Sequence, residues 1–584
     1  MSTPLRTRIT WLIALSLGCR PDAGTQQPGT LSKPSAQLVI RQPFPDAARV
    51  EALAAEPPAP PQPQLAIRSI DTWQLSAPLP NTTGPRAAAG PDNLALAGVL
   101  AGDPTKQVSE PMACFARQVA GFMLRHGARP SGDLEGWIGG RCGVGHARPF
   151  VLLANEGDIR ARLFDASRDQ AAIVAAAGAI SGPLDLGVAT VDDGKKKLAV
   201  IAGVLRGVTL DRIEMVPKNG RVIVTGEAPK PLGWVRGHAT WGAHGFSTCT
   251  PVVSSRVGNK AFALSCPVDP NDGGANIEIV AAPEGRLVGD LVLSLWASPD
   301  GSLGDTWTAR SMDVPVAGDE RDAAAWLTAI NAIRERAKLV PWTHARSQSV
   351  LVGGLLPHLV AQPSPTADPH LRDEVALGML AGWKVEGTIR SGDLVLSLVP
   401  RDVPFERSVG AAMSSATFRA GVLSAESDTA AVAVLDMPEA NLADILVVSY
   451  ALFTARDYLA QEQQFLDQLD VDRVSRGLPP VERVGGPRDR KRLSEAAARV
   501  REGKSEPMDE LEGLVDHFAE ATGQSVRGAV FTTLTLDGFR PAFEGPLATA
   551  TKVIVAAKIA DWRPPGSAWG QHVIYVIYAV PGER

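Results

Sequence analysis

The chain has 584 residues, of which 45% are apolar and 21% are charged, and its formal net charge is −5. This length predicts three to four domains, and the composition is that of an ordinary globular protein. Because there is no surplus of basic residues, the composition argues against a nucleic-acid partner.

The first residues are typical of an export signal. Two arginines precede an apolar run, residues 9–18, which is too short for a permanent membrane-spanning helix. Residues 15–19 (LSLGC) resemble a bacterial lipobox, but Ser16 occupies the position that usually holds Leu. We therefore predict a signal peptide over residues 1–19 and a membrane anchor through a lipid on Cys19. Ordinary signal cleavage nearby is the alternative.

The cysteines support export. Five cysteines leave four after Cys19, and these form two local pairs, Cys114 with Cys142 and Cys249 with Cys266. Four cysteines allow three connectivities, of which local pairing is favoured. Disulfides persist in an oxidising compartment, so the expected location is the bacterial envelope, anchored in the outer membrane or periplasm, or outside the cell. The alternative is four buried free thiols.

A Pro-rich linker is expected over residues 20–67, because residues 56–64 (EPPAPPQPQ) favour extended polyproline geometry. Such a linker would hold the folded part away from a membrane. Residues 68–185 are predicted to be mostly helical. Within them, residues 112–125 form an amphipathic helix that ends at a Gly, and residues 170–180 form an Ala-rich helix.

Residues 186–298 change to a period of two, with Gly, Asn and Asp turns between short apolar runs. Eight or nine short strands at this spacing predict a β-sandwich of immunoglobulin-like type. His238 and His244 lie close together in this region, but a metal site would need more ligands within reach. We interpret both as strand histidines, and no metal or other cofactor is expected.

Residues 320–438 are predicted to form an α+β domain. It opens with a helix whose apolar stripe excludes Asn331 and Arg334. A second helix over residues 347–360 follows, and then a hairpin over residues 388–399. The last elements expected are a short helix over residues 414–423 and a strand over residues 429–435.

Two parts of this domain resemble a known family. Residues 331–342 (NAIRERAKLVPW) resemble the opening of a bacterial CAP domain (cysteine-rich secretory, antigen 5, pathogenesis-related superfamily). Residues 415–423 (SATFRAGVL) are similar to its second signature, with Phe418 in place of a His and Ala416 in place of a Pro. The resemblance implies an α/β/α unit with a cleft. The motif positions are Asn331, Arg334, Ser415, Phe418 and Arg419.

The implied cleft would be degenerate. In that family two histidines and acidic residues can hold a cation, and Phe418 cannot act as a ligand. His358 and Glu386, with His370, are the remaining candidates for a cleft, and the first two are weak candidates for catalysis. Arg419 is interpreted as structural, bonding helix carbonyls near a C-terminus.

Residues 441–584 are predicted to contain a second, more degenerate CAP-like unit. The expected elements are a helix over residues 441–469, two strands over residues 526–536 and 572–580, and a helix over residues 547–561 between them. The exit after the first helix (RGLPPV) resembles the family opening more closely than the first copy does. The two units would form an internal repeat with a period of roughly 140 residues. His517 is expected on a solvated helix face and His572 in a strand.

The predicted protein is a multidomain α+β chain with a helical region, an immunoglobulin-like sandwich and one or two CAP-like α/β/α units. The predicted function is binding or scaffolding at the cell surface, with envelope or cell-wall components as partners. One alternative is a CAP-type hydrolase or cell-wall-modifying enzyme that uses His358 and Glu386. Another is a lipid carrier, which would need an apolar groove.

Overall fold

The computed structural model describes most of residues 47–581, and the structural statements below concern those residues. The longer gaps are 57–65, 77–89, 155–183, 253–259, 361–388 and 537–545, and shorter gaps occur elsewhere. The described residues form twelve α-helices and seven small sheets, so the predicted α+β class is confirmed.

The elements are numbered in chain order. The helices are α1 Ala47–Ala55, α2 Pro91–Leu100, α3 Glu110–His126, α4 Gly132–Arg141, α5 Ala323–Arg336, α6 Arg346–Val360, α7 Phe405–Ser414, α8 Ala416–Val422, α9 Leu459–Ser475, α10 Pro487–Arg501, α11 Pro507–Thr522 and α12 Pro546–Thr549. The strands are β1 Ile67–Arg68, β2 Thr72–Gln74, β3 Lys106–Val108, β4 Arg129–Pro130, β5 Phe150–Ala154, β6 Leu184–Asp192, β7 Lys197–Leu205, β8 Thr209–Val216, β9 Arg221–Glu227, β10 Leu232–Trp241, β11 Gly245–Thr248, β12 Thr250–Pro251, β13 Ala261–Pro267, β14 Ala275–Pro283, β15 Asp290–Ala297, β16 Thr306–Thr308, β17 Thr343–His344, β18 Ile389–Pro400, β19 Thr429–Met437, β20 Leu442–Leu452, β21 Glu482–Arg483, β22 Val526–Thr533, β23 Ile554–Trp562 and β24 Gln571–Ala579.

The chain divides into two compact units. The larger consists of Pro45–Trp383 and Asp393–Ser449. Among the described residues, the smaller consists of residues 389–392 and most of residues 450–581. The larger unit therefore contains the predicted helical and β regions and most of the first CAP-like region, and the smaller contains the second.

The first layer of the larger unit is a helix on a sheet. The sheet has the order β3-β6-β7-β5, and α3 packs on β6 and β7. Cys114 of α3 and Cys142 after α4 form a disulfide with Cα atoms 5.6 Å apart, and both are fully buried. The predicted boundary at residue 186 falls inside β6, which α3 covers together with β7.

Residues 209–297 form two four-stranded sheets, which we call the two-sheet segment. Their orders are β12-β13-β9-β8 and β11-β10-β14-β15. One apolar core contains side chains from both sheets, so the sheets pack face to face. Cys249 and Cys266 form the second disulfide, with Cα atoms 4.1 Å apart. Both disulfides are the local pairs that the sequence favoured.

Residues 323–452 and residues 459–579 each contain a four-stranded sheet with the same strand order, and we call them repeat 1 and repeat 2. The sheet orders are β17-β19-β20-β18 and β21-β23-β24-β22. In each, the first strand is very short and pairs in parallel with the next strand of its sheet, β17 with β19 and β21 with β23. The internal repeat predicted from the sequence is therefore visible as a repeated architecture.

Helices cover both faces of the sheet in repeat 2. Ile574 and Val576 of β24 pack with α9 and α12, whereas the alternating Val573, Tyr575 and Ile577 pack with α10 and α11. This alternation follows from the two-residue period of a strand. A strand with both faces covered is apolar along its whole length, as β24 is.

Three element predictions are wrong. Residues 389–399 of the predicted hairpin belong to the single strand β18. The predicted helix over residues 441–469 contains β20 and the start of α9. Residues 547–561 form the one-turn helix α12 and most of β23. All but the last residue of β20 are buried, so its sequence has no polar face that would show a period of two.

The predicted linker over residues 20–67 contains a helix, α1. Val50 of α1 is buried, and α1 packs against α6. The contact is close because a side-chain carbon at Gly354 of α6 would lie 2.6 Å from the carbonyl oxygen of Ala54. The residues of the linker on either side of α1 lie mainly outside the described part. The predicted helix over residues 170–180 lies outside it entirely.

Within the described residues, none of the helices combines the length and the apolar character that crossing a bilayer would require.

After α5 and after α9 the chain turns through a residue in the left-handed region of backbone conformation. Because that residue is Lys in one repeat and Gly in the other, we predict opposite effects on stability when the two are exchanged. Lys338 has φ of 58°, and Gly477, at the equivalent place in repeat 2, has φ of 76°. A side chain in this region costs roughly 1–2 kcal/mol, and only Gly avoids the cost. Lys338→Gly should therefore stabilise the larger unit by about 1 kcal/mol in urea unfolding. The reverse change, Gly477→Lys, should destabilise the smaller unit by a similar amount. Two unchanged midpoints would contradict the equivalence.

Candidate functional site

The first motif positions predicted from the sequence, in α5, bond to distant parts of the backbone of repeat 1. Arg334 is fully buried in α5, and all three of its guanidinium nitrogens donate to backbone carbonyls. Nε donates to Val340 (3.0 Å), Nη1 to Val422 (2.6 Å) and Nη2 to Ser427 (3.3 Å). The guanidinium also lies 4.1 Å from the centre of the Trp342 ring. One side chain thus joins the exit of α5, the end of α8 and the turn before β19.

Arg473 makes equivalent contacts in repeat 2. Its Nε donates to Pro479 (2.9 Å), its Nη1 to Leu547 (2.6 Å) and its Nη2 to Ala550 (2.8 Å). Arg473 is 1% exposed. Sequence reasoning identified Arg334 as a motif position but missed Arg473, although its place relative to the RGLPPV exit could have identified it.

The residue three positions before each arginine holds the exit that follows. Asn331 accepts from the Trp342 amide at 2.8 Å and donates to the Trp342 carbonyl at 3.0 Å. Asp470 accepts from the Val481 amide at 2.8 Å. These bonds align the short first strand of each sheet, and they account for Asn331 without any role in chemistry.

The second motif lies against the two-sheet segment and not in an open cleft. Ser415 caps α8 by accepting from the Phe418 amide at 3.2 Å, and it donates to Glu278 of β14 at 2.9 Å. Glu278 also accepts from the Thr417 amide at 2.8 Å and is 5% exposed. Phe418 is 1% exposed and belongs to the core of repeat 1.

Arg419 is buried in the same contact region. Its Nε donates to the carbonyl of Met413, near the end of α7, at 2.6 Å, and its Nη1 donates to the carbonyl of Gly245 at 2.8 Å. The Met413 bond agrees with the predicted structural role. Burial, assisted by the charge of Arg310, lowers the pKa of Arg419 to about 9.

The structure does not test the predicted pair of His358 and Glu386. His358 lies near the end of α6, half-buried, and its Nε2 has no hydrogen-bond partner among the described residues. Glu386 and His370 lie outside the described part. The separation of the two candidate groups therefore stays a prediction.

Repeat 2 contains a buried polar cluster that sequence reasoning missed. Asp561 of β23 accepts from the Tyr458 hydroxyl, and its Oδ1 lies 3.6 Å from Nδ1 of His572 on β24. The rings of Phe453 and Tyr458 meet the His572 ring edge-on, with centroids 4.9 and 5.5 Å away. Nδ1 of His572 is buried and makes no hydrogen bond to the described residues. His572 lies in a strand, as expected.

His517 is not on a solvated face. Its side chain is 17% exposed, and Nε2 lies 3.3 Å from Oδ1 of Asp489, so it pairs across α10 and α11. The helical prediction was right, but the apolar stripe did not show that a second helix covers this position.

The two histidines of the two-sheet segment differ in their exposure to solvent. His238 is half-buried on β10 and stacks on Phe246, with centroids 6.1 Å apart, whereas His244 is exposed in the following turn. Burial, with a smaller effect of the Arg236 charge, lowers the pKa of His238 to about 3. Glu278 lies directly opposite on β14.

The described residues offer neither a metal site nor a large cavity. No three His, Cys, Asp or Glu side chains lie close enough together there to hold a metal ion. One apolar pocket in repeat 2, lined by Val484, Phe518 and Ile577 among others, has a volume of about 10 Å³, which is about the space of one water molecule.

Comparison with known proteins finds no family model, no curated protein and no solved structure that matches the chain.

The arginine contacts predict a large and specific loss of stability. Arg334→Lys leaves carbonyls of buried segments without donors, because a lysine cannot reach three directions at once, and should cost about 2–4 kcal/mol. Arg473→Lys should do the same in the smaller unit. The control is Arg336→Lys on α5, whose side chain is 39% exposed and pairs with Asp313. Urea unfolding that is equal for Arg334→Lys and Arg336→Lys would contradict this role.

The lowered pKa of His238 predicts acid sensitivity. The unfolded chain takes up this proton near pH 6.5, whereas the folded chain stays neutral down to about pH 3. Stability present above pH 6.5 should therefore be lost as the pH falls, by at most about 1.4 kcal/mol per unit. His238→Asn should flatten the curve of unfolding free energy between pH 6.5 and 4.5. A wild-type curve that already matches the His238→Asn curve would refute the prediction.

Proposed function

We propose that this chain is an exported, lipid-anchored envelope protein whose CAP-like and immunoglobulin-like parts act in binding or scaffolding at the cell surface. One observation carries the proposal. The CAP motif positions in repeat 1 are used to hold the fold, with Arg334, Phe418 and Arg419 at most 1% exposed. A residue with no exposure and with donors directed at carbonyls has little capacity to act on a substrate.

The cysteines support export. Both disulfides lie in cores, and the cysteines are at most 5% exposed. Disulfides form in an oxidising compartment. The export signal predicted over residues 1–19 would direct the chain to such a compartment.

The architecture of the repeats supports the CAP-like interpretation. Repeat 2 has helices on both faces of a four-stranded sheet, and repeat 1 shares its strand order. The motif arginine occurs in both. These features agree with the α/β/α unit that the resemblance implies.

A lipid on Cys19 would act through a short tether. Because α1 packs on α6, a tether between the lipid and α1 would comprise at most residues 20–46 and not the whole of residues 20–67. Fully extended, residues 20–46 span at most about 90 Å. The body would therefore work close to one membrane.

A hydrolase is the second candidate function, and the cluster of Tyr458, Asp561 and His572 favours it. An imidazole beside a carboxylate is an arrangement that general bases use, although here the two groups are 3.6 Å apart and Nδ1 of His572 makes no hydrogen bond to the described residues. His572 is 6% exposed, however, so substrate would reach it only if Tyr458 or Phe453 moved. No observation on the described residues favours a lipid carrier.

Anchoring is tested by labelling the full chain in a bacterial host with a fatty-acid probe. Cys19→Ala should lose the label and the membrane association, whereas Ser16→Leu, which supplies the usual lipobox residue, should keep or increase both. If Cys19→Ala retains the label, the anchor is refuted and the location must be decided again.

Binding and hydrolysis are separated with purified peptidoglycan sacculi as the probe. The proposal expects the Cys19→Ala protein to sediment with the sacculi without releasing soluble fragments. Release that disappears in His572→Asn would establish the hydrolase instead. Release that disappears only in His358→Ala would place the chemistry at the site predicted in repeat 1. If the protein neither sediments with the sacculi nor releases fragments from them, the cell-wall partner is refuted.

A further inference from the structure

The two helices on one face of the repeat 2 sheet form an antiparallel pair. α10 and α11 both pack on β24, and residues 502–506 connect them. Oδ1 of Asp489, near the start of α10, lies 3.3 Å from Nε2 of His517, near the end of α11. Closer to the connection, Nε of Arg499 donates to Glu510 at 2.6 Å. The start of α10 therefore lies beside the end of α11, and each helix turns its other face away from the sheet.

The exposed face of α11 carries charge of a single sign. Asp509, Glu512, Asp516 and Glu520 are exposed, and their spacing of three and four residues places them in one stripe about 16 Å long. None of the four forms a hydrogen bond or an ion pair with the described residues. Like charges at this spacing repel one another. Glu520 also lies in the last turn, where the helix macrodipole disfavours a negative charge. The stripe therefore lowers the stability of α11.

The exposed face of α10 carries the opposite charge. Arg488, Arg490, Lys491 and Arg501 are exposed on it, and the acidic residue among them is Glu495, 3.9 Å from Nζ of Lys491. Within the described part of the chain, Arg488 and Arg490 make neither a hydrogen bond nor an ion pair. Both lie in the first turn of α10, where the macrodipole disfavours positive charge. These arginines therefore also lower the stability of the helix that carries them.

The charged faces are specific to repeat 2. In repeat 1 the helix that follows the short first strand is α6, whose single Arg, Lys, Asp or Glu residue is Arg346. The shared strand order thus forms without such charges. A partner of complementary charge would offset what they cost repeat 2.

The two faces together identify the partner. A polyanion or an anionic membrane would be attracted by α10 but repelled by α11 beside it. A surface that carries both signs in the reverse order complements both helices. A second copy of this chain presents that surface when it is turned about a two-fold axis.

We propose that α10 and α11 form the contact surface of a homodimer, in which α10 of each copy lies antiparallel on α11 of the other. A two-fold axis parallel to the helices produces this arrangement. It places Arg488 and Arg490 opposite Asp516 and Glu520 of the second copy, and Arg501 at the end that carries no such acidic pair. An axis across the helices would instead place α10 on α10 and bring like charges together. The charges therefore select one geometry.

The dimer is weak and depends on salt. Two helices about 24 Å long with axes about 10 Å apart offer roughly 500 Å² per copy, which is at the small end of specific interfaces. Exposed ion pairs add little affinity, and salt screens them. Low ionic strength and high protein concentration therefore favour the dimer. The proposal depends neither on the lipid anchor nor on a cell-wall partner.

The test is sedimentation equilibrium of the Cys19→Ala protein, in which no lipid contributes to association. At about 100 µM and low salt the mean mass should rise above that of one chain, and about 0.5 M NaCl should remove the rise. Arg488→Glu with Arg490→Glu should abolish self-association, as should Asp516→Lys with Glu520→Lys. An equimolar mixture of these two double variants should associate again, because every facing pair of charges is then opposite.

A variant with all four reversals exchanges the two signs and should form a homodimer again. Arg336→Glu with Arg346→Glu makes the same change of net charge on exposed residues of repeat 1 and should leave self-association unchanged. Folding is checked by urea midpoints, which should not fall, because the reversed charges agree with the helix macrodipoles. A parent protein that is monomeric at about 100 µM and low salt overturns the proposal. So does self-association that survives either pair of reversals, or a mixture that stays monomeric.

Discussion

Buried guanidinium groups that bond to backbone carbonyls are the constraint on which residues 323–579 depend. The last carbonyls of a helix and the turn that follows it have no partners within the helix. Arg334 supplies donors to such carbonyls at the end of α8 and before β19, and Arg473 does so for α12 and β23. A planar group with fixed donor directions suits this task because one side chain can satisfy segments that converge from different parts of the chain. The positions of the inner strands β19 and β23 therefore depend on an arginine in the first helix of each repeat, α5 or α9.

The contact of repeat 1 with the two-sheet segment depends on a second polar arrangement. Glu278 accepts from Ser415 and from the Thr417 amide, while Asn276 and Thr240 both donate to the Ser414 carbonyl at 3.2 Å. A contact made of directed hydrogen bonds fixes one orientation, where apolar packing alone would tolerate several. The same bonds engage residues 414–417, so this stretch cannot also be the wall of an open cleft.

The amphipathic elements could be predicted from the sequence because one of their faces is polar. This holds for α3, α5 and α6, and the two local disulfides followed from cysteine spacing. β20 and β23 could not be predicted, since strands that are buried on both faces have no alternation, and their apolar runs were read as helix. The turn residues at positions 390–393 wrongly predicted a hairpin, because tertiary pairing also decides the structure there. The Gly and Asp at these positions lie within β18, where pairing with β20 overrides local turn preference.

The site could be predicted only in part. Asn331, Arg334 and Arg419 were recognised from a motif, but the carbonyls that Arg334 bonds lie up to 93 residues away, and no local pattern identifies them. The cluster of Tyr458, Asp561 and His572 was missed because Tyr458 is 103 residues from Asp561. Cross-strand register alone brings Asp561 opposite His572.

The two repeats separate what the fold needs from what each copy adds. Both keep the arginine, the residue three before it and the left-handed turn after the helix, even where the residue type changes, as from Asn331 to Asp470. By contrast, Asp436 and Asp561 are the eighth residues of equivalent strands but have different surroundings. Asp436 is exposed and pairs with Arg401 at 3.0 Å, whereas Asp561 is buried with a histidine and a tyrosine. Burying a carboxylate costs free energy. Repeat 1 forms the same strand with an exposed carboxylate at this position, so the fold does not require the burial. The buried carboxylate of repeat 2 is therefore required by something other than the shared fold. The motif residues that both copies keep are explained by the fold alone.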